Sequence, residues 1–165
     1  MSIQTPYSIL LALLLLACHP RWRESVSAPY DHLPALHILL TDSTTVFSTT
    51  TVVQDRPTII FYFDPTCEHC QYMASYLMAH RNALTQVNLV FVSTEPPTAT
   101  RTFIQQQKLP MNQNITIGSD YRYELFNEYK IVSFPEFIIY NHHQELTKVY
   151  RGIITMKQIL TAVNS

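Results

Sequence analysis

Short apolar runs alternate along the chain with stretches of helical spacing, and together they predict an α/β domain. The run Thr58–Phe63 is β-branched and aromatic with polar residues only at its edges, as expected for a strand buried on both faces of a sheet. Asp64 and Pro65 end this run, and the segment up to about Arg81 carries apolar residues at helical spacing. A second buried run at 88–93 follows the helix, which predicts a parallel βαβ unit.

Further elements are predicted on both sides of this unit. They are a hairpin of strands at 36–41 and 45–50, a helix at 98–108, a strand at 114–117, a helix from 120 to 129, strands at 136–140 and 148–151, and a last helix. Asp120 is expected to be the N-cap of its helix, with Tyr121, Leu125 and Tyr129 packing in the core. The last helix starts with a capping-box pattern at Thr155.

The N-terminal segment has the pattern of an export signal. Its aliphatic core is too short to span a bilayer and ends in LLAC, which resembles the lipobox of bacterial lipoproteins. This pattern predicts a signal peptide at 1–17, a lipidated Cys18, a tether at 18–32 and a folded domain at 33–165. Because the first eight residues contain no Lys or Arg, an uncleaved anchor and an unlipidated secretory signal are the alternatives.

Composition limits the partners and the compartment. The chain has 165 residues, 47% of them hydrophobic, and a net charge of −1, which fits one globular domain with a short extension and argues against a nucleic-acid partner. Three cysteines are too few for a disulfide scaffold. If Cys18 is acylated, Cys67 and Cys70 are the one remaining pair, and a disulfide between them is permitted outside the cytoplasm.

The motif CEHC lies where the buried strand gives way to the helix. The unpaired N–H groups and the dipole of a helix N-terminus favour an anion, so Cys67 is expected to ionise more easily than a free thiol and to act as the nucleophile. Cys70, one turn deeper on the same face, is placed to attack a mixed disulfide at Cys67 and release the partner. Half of a zinc site is the alternative, but the chain has no second CxxC or HxxxH.

Four features of the sequence together resemble the thioredoxin fold. They are the buried strand, the CEHC motif at the start of a helix, a Phe-Pro pair ahead of a later strand, and a terminal hairpin and helix. The sequence is most similar to the membrane-tethered TlpA/ResA-like thiol–disulfide oxidoreductases of bacterial envelopes, over the chain from about Leu33 to the C-terminus. The resemblance implies a central mixed β-sheet flanked by helices, an N-terminal β-hairpin and a helix–strand insertion. It also implies a cis bond between Phe134 and Pro135, facing the cysteines, and pairing of the Phe134 backbone with the extended chain of a substrate.

The residues around the cysteines are expected to tune the chemistry. A protonated His69 would stabilise the thiolate and make the couple more oxidising, whereas Glu68 would oppose it by repulsion, so the direction of electron flow stays open. A surface histidine without a role is the alternative for His69. Phe61 stands where thioredoxin has a buried aspartate, which leaves the proton acceptor for Cys70 unassigned. Glu136 is the nearest candidate, and an outward-facing strand residue is the alternative reading.

The predicted function is thiol–disulfide exchange with extracytoplasmic proteins of the cell envelope. The predicted partners are protein thiols and disulfides, an upstream redox protein and, through the lipid anchor, a membrane. No flavin or nicotinamide motif is present, and neither an organic cofactor nor a metal is expected. A copper or zinc carrier that uses the CxxC motif, and a non-catalytic interaction lipoprotein on the same fold, are the alternatives. His80 cannot complete a metal site with Cys67 because it lies at the far end of the same helix.

Overall fold

The computed structural model describes residues 31–110 and 114–165. The predicted signal peptide, Cys18 and residues 18–30 of the predicted tether lie outside the described residues. Within the described part, no helix has the length and apolar character needed to cross a membrane.

Seven strands and four α-helices make up the described chain. The strands are β1 His37–Leu40, β2 Val46–Ser48, β3 Thr58–Phe63, β4 Asn88–Ser93, β5 Ile115–Ser119, β6 Glu136–Tyr140 and β7 Leu146–Arg151. The helices are α1 Glu68–Ala79, α2 Pro97–Gln107, α3 Glu124–Glu128 and α4 Met156–Val163, with short 3-10 turns at Thr49–Thr51 and Arg81–Leu84. The strands form one sheet in the order β2-β1-β5-β4-β3-β6-β7.

Strand β3 lies inside the sheet, between β4 and β6, and its six residues are all buried. It runs parallel to β4 and antiparallel to β6, and β4 runs parallel to β5. Because side chains alternate along a strand, Phe61 points to the face covered by α1, α2 and α4, and Tyr62 points to the face covered by α3. The site at the end of β3 is therefore built on one of the fully buried inner strands of the sheet.

The predicted fold is confirmed. The sheet is mixed and carries helices on both faces, β1 and β2 form the N-terminal hairpin, and α2 with β5 forms the helix–strand insertion. The bounds of β3, β4 and β6 are those predicted from the apolar runs. The capping box at Thr155 is also present, with Gln158 as its second residue.

The predicted helix from Asp120 to Tyr129 is wrong in its start. Residues 120–123 form a turn closed by the Tyr123 N–H on the Asp120 carbonyl, and α3 begins only at Glu124. Asp120 still caps this helix, but from four residues upstream, because its carboxylate accepts the N–H groups of Glu124 and Phe126 at 2.8 and 3.0 Å. The turn also brings Tyr121 to the surface rather than into the core.

The described chain begins at the end of the sheet opposite the cysteines. The Leu33 N–H donates to the Gln144 carbonyl at 2.9 Å, and the Leu146 N–H donates to the Asp31 carbonyl at 2.7 Å. Gln144 belongs to the loop between β6 and β7, which lies beside Thr58 at the start of β3. Cys67 follows the other end of β3, so the length of this strand separates the entry of the chain from the cysteines.

Gly118 allows β1 to approach β5 closely. A Cβ atom at this position would lie 2.5 Å from Ile38 Cγ2 and 2.6 Å from the Leu39 carbonyl oxygen. We expect Gly118→Ala to lower the free energy of unfolding by about 1 to 2 kcal/mol, measured by urea denaturation, because the neighbouring backbone has to shift.

Gly152 gives a matched control for this prediction, since a Cβ there meets nothing within 4 Å and only its positive φ of 75° opposes a side chain. The losses of Ile38→Ala and Gly118→Ala should sum to more than the loss of the double variant, because the two sites touch. Ile38→Ala and Gly152→Ala should be additive. If the losses of Ile38→Ala and Gly118→Ala are additive, the close contact between these two residues is contradicted.

Candidate active site

A short, locally bonded loop delivers Cys67 from β3 to the start of α1. Asp64 Oδ1 accepts the Thr66 N–H at 2.7 Å and the Thr66 hydroxyl at 2.8 Å, and the Cys67 N–H donates to the Asp64 carbonyl at 3.1 Å. Cys67 is the N-cap of α1, with an extended backbone, and its Sγ accepts the Cys70 N–H at 3.4 Å. The nucleophile predicted from sequence thus lies at the helix N-terminus, where an N–H group already points at its sulfur.

The two cysteines differ sharply in accessibility. Both are free thiols, but Cys67 is half-buried and Cys70 is fully buried. Burial raises the pKa of Cys70 strongly, and a hydrogen bond with Cys67 raises it further. Cys70 is therefore a protonated thiol at neutral pH, and an incoming sulfur atom meets Cys67 first.

The segment before β6 lies against Cys67. The Phe134–Pro135 peptide bond is cis, as predicted. The Cys67 thiol points at the Phe134 carbonyl oxygen, with 4.0 Å between the sulfur and the oxygen. The structure thus brings together four of the predicted site residues, Cys67 and Cys70 at the start of α1 and Phe134 and Pro135 just before β6.

Glu68 and His69 occupy the first turn of α1, and both side chains are exposed to solvent. Within the described chain, neither of them forms an ion pair. Their predicted influence on the redox potential stays a prediction.

Aromatic rings fill the space beneath α1 where thioredoxin has an acid. The Phe61 ring lies 5.0 Å from the rings of both Phe91 and Phe137, measured between centroids, and Phe61 is fully buried. Strand β3 contributes no carboxylate to the face of the sheet that α1 covers. A proton leaving Cys70 therefore has no acceptor among the side chains of the strand directly below it.

Both readings of Glu136 from sequence are wrong. Glu136 is not an outward-facing residue, since its exposed fraction is 0%. It is also not beside Cys70, because it pairs with Tyr62 across the sheet and so shares the face opposite α1. Its burial is compensated by Arg151, whose Nε donates to Glu136 Oε2 at 2.9 Å. Arg151 could not be identified as this partner from the sequence alone, because the pairing depends on the register between β6 and β7.

The Glu136 carboxylate is only partly satisfied. Its second oxygen, Oε1, is buried and has no hydrogen-bond partner among the described residues. Burial raises the pKa of Glu136, and the hydrogen bond and charge of Arg151 oppose this effect without cancelling it. Next to this pair, the Gly152 N–H donates to the Pro135 carbonyl at 2.8 Å, so β6 and β7 are joined beside the cis bond.

A second buried acid was missed by the sequence reasoning. The Tyr62 hydroxyl donates to Asp120 Oδ2 at 3.1 Å, and both residues are almost fully buried. Burial raises the pKa of Asp120, although four hydrogen bonds oppose the shift. One signal was available, because a tyrosine inside a strand buried on both faces needs a partner for its hydroxyl group.

Metal ligands do not cluster in the described part of the chain. Among residues 31–110 and 114–165, no group of three or more histidine, cysteine, aspartate or glutamate side chains is placed to hold an ion.

Comparison with known proteins identifies relatives of this arrangement. A family model described as a thioredoxin-like domain matches residues 49–165. A secreted disulfide oxidoreductase of Mycobacterium tuberculosis, described as homologous to DsbE of Escherichia coli, has 17% identity and a TM-score of 0.65 over 79% of this chain and 95% of its own. StoA of Bacillus subtilis has 23% identity and a TM-score of 0.60 over 78% and 96%. No curated protein sequence matches the chain.

A third similar structure is the thioredoxin domain of a thiol–disulfide oxidoreductase from Bacteroides vulgatus. It has 16% identity and a TM-score of 0.63 over 81% of this chain and 93% of its own. At such identities the three structures establish a shared fold.

Proposed function

Because this chain belongs to the family of thioredoxin-like domains, we propose that it is a thiol–disulfide oxidoreductase that exchanges disulfides with other proteins through Cys67 and Cys70. One observation carries the proposal, the accessible Cys67 sulfur that caps α1 directly above the buried Cys70. The similar proteins from Mycobacterium tuberculosis and Bacteroides vulgatus, both described as oxidoreductases of disulfides, support it.

The exchange proceeds in two balanced steps. The Cys67 thiolate attacks one sulfur of a substrate disulfide, so that a mixed disulfide forms and the other substrate sulfur leaves as a thiolate. Cys70 then gives up its proton and attacks the Cys67 sulfur, which releases the second substrate thiol and leaves the Cys67–Cys70 disulfide. Two electrons pass to the substrate in this direction, and the same steps reversed oxidise a substrate dithiol.

The substrate chain is held beside Cys67 by the segment before β6. In the proposed complex, the backbone of Phe134 pairs with an extended strand of the substrate, and Pro135 keeps the Phe134 carbonyl directed at the Cys67 sulfur. Glu68 and His69, exposed on the first turn of α1, set the midpoint potential through their charges.

The proposed site of action is the cell envelope, outside the cytoplasm. The apolar run that ends in LLAC supports export and lipidation of Cys18, with residues 18–32 as the tether. The description of the Mycobacterium tuberculosis protein as secreted agrees with this compartment. An upstream redox protein regenerates the working state of the cysteines, since the chain has no motif for an organic redox cofactor.

A redox titration tests the proposal. The domain that starts after Cys18 is equilibrated in metal-free glutathione or dithiothreitol buffers, and its alkylated thiols are counted by mass. We expect one reversible two-electron transition confined to Cys67 and Cys70. A midpoint near roughly −270 mV makes the protein a reductant, and one near roughly −120 mV makes it an oxidant. Thiols that stay reduced, or that become protected only when metal is added, would exclude the proposed function.

A further inference from the structure

Phe134 contacts both the ring of Tyr62 and the sulfur of Cys67. The Phe134 ring packs against the Tyr62 ring with 5.9 Å between centroids and 33° between planes. The carbonyl of the same residue lies 4.0 Å from the Cys67 sulfur. Tyr62 itself is fully buried and touches neither cysteine, since it lies on the face of the sheet opposite α1.

Asp120 fixes the other end of the Tyr62 ring. Its Oδ2 accepts the Tyr62 hydroxyl at 3.1 Å, and its exposed fraction is 1%. The backbone of Asp120 is anchored in turn, because its N–H donates to the Ser93 carbonyl at the end of β4 at 2.9 Å. The Tyr62 ring is thus held between the sheet and one buried carboxylate.

The same carboxylate organises the segment that ends at Phe134. It accepts the N–H groups of Glu124 and Phe126, which start α3. Just after α3, the Ile131 N–H donates to the Phe126 carbonyl at 3.2 Å and turns the chain toward Phe134. Asp120 therefore holds both the ring on which Phe134 packs and the helix from which Phe134 is reached.

We propose that Tyr62 and Asp120 are positioning residues for protein substrates of this oxidoreductase. They act through Phe134, whose backbone they hold at Cys67, and they contact neither the substrate nor the reacting sulfurs. The inference rests on the proposed function and adds to it the residues that set the affinity for an extended polypeptide. A small disulfide, which has no chain to pair with Phe134, does not depend on them.

Two conservative variants test this division. Tyr62→Phe removes one hydroxyl group and keeps the ring, and Asp120→Asn keeps the shape and removes the charge. With a peptide disulfide as substrate, we expect KM to rise roughly three- to tenfold in Tyr62→Phe, the effect of one lost buried hydrogen bond, with kcat nearly unchanged. With glutathione disulfide, kcat/KM should stay within about twofold of the unchanged protein, and the midpoint potential should not move.

Thr58→Val is the matched control. Thr58 lies on the same strand and face as Tyr62, is fully buried and donates a hydrogen bond to Gln144 Oε1 at 2.9 Å, but it lies at the end of the sheet away from Cys67. The variant Thr58→Val should lower the free energy of unfolding without changing KM for the peptide disulfide. If Asp120→Asn does not fold, Tyr62→Phe alone decides the test.

The outcomes separate this inference from the function on which it rests. If the unchanged protein reduces or oxidises neither disulfide and its cysteines do not titrate, the proposed function fails. If it turns over both disulfides and Tyr62→Phe has the same KM for the peptide, the positioning role is overturned. An equal rise of KM in Thr58→Val would also overturn it, because the effect would then follow general loss of stability.

Discussion

Cys70→Ser is expected to convert the protein into a trap whose partners accumulate as mixed disulfides on Cys67, whereas Cys67→Ser is expected to reduce the exchange rate by at least about a thousandfold. The trap forms because Cys67 retains its place at the start of α1 while the resolving sulfur is gone. Cys70 cannot replace Cys67 as the nucleophile, because it is fully buried and its raised pKa keeps it protonated at neutral pH.

The adducts are measured by acid quenching, alkylation and mass spectrometry of cell-envelope extracts. The double variant Cys67→Ser/Cys70→Ser is the control and should give no adducts. Adducts that persist in Cys67→Ser would contradict the assignment of the nucleophile. If Cys70→Ser forms no adducts at all, a non-catalytic interaction role becomes the better explanation of the protein's function.

Arg151→Met is expected to lower the free energy of unfolding by about 2 to 3 kcal/mol at pH 7, because it leaves the Glu136 carboxylate buried without a counter-charge. Arg151 is 36% exposed and Glu136 is fully buried, so the loss should be smaller than for a pair buried on both sides. The methionine keeps most of the apolar stem of the arginine, which limits the loss of packing.

The pH dependence of the stability loss in Arg151→Met tests whether the buried charge of Glu136 is its cause. Burial raises the pKa of Glu136 in the folded protein, and Arg151 opposes that shift, so the variant should raise the folded pKa still further. Between the unfolded and folded pKa values the folded state binds more protons, and stability falls as pH rises through this window. Urea denaturation should therefore show a smaller loss at pH 5 than at pH 7. Adding Glu136→Gln should remove this difference, and a loss equal at both pH values would contradict it.

Local patterns were sufficient for the elements that position the nucleophile. Strand β3 ends at Phe63, as predicted, because Asp64 and Pro65 break the extended conformation of the backbone there. The start of α1 followed from the spacing of its apolar residues, and the cis bond before Pro135 followed from family resemblance. The end of β3 and the start of α1 depend on a few neighbouring residues, which a single sequence displays directly, whereas the cis bond could be predicted only from the resemblance.

The buried acids depended on information that a single sequence does not display. The face on which Glu136 lies is set by its pairing with Tyr62, and a shift of one residue in register would have placed it under α1. Asp120 resembled an ordinary N-cap, yet its partners include a hydroxyl group 58 residues earlier in the chain. Long-range partners of this kind decide whether a carboxylate is exposed, paired or protonated.

The chain enters the described domain beside Gln144, at the end of the sheet remote from Cys67. With Cys18 lipidated as proposed, the 13 residues from Cys18 to Asp31 can bridge at most about 45 Å. Such an anchor would join the domain at the end of the sheet remote from Cys67, so the anchor itself would not cover the reactive sulfur. A substrate could then form its mixed disulfide with Cys67 without displacing the anchored end of the domain.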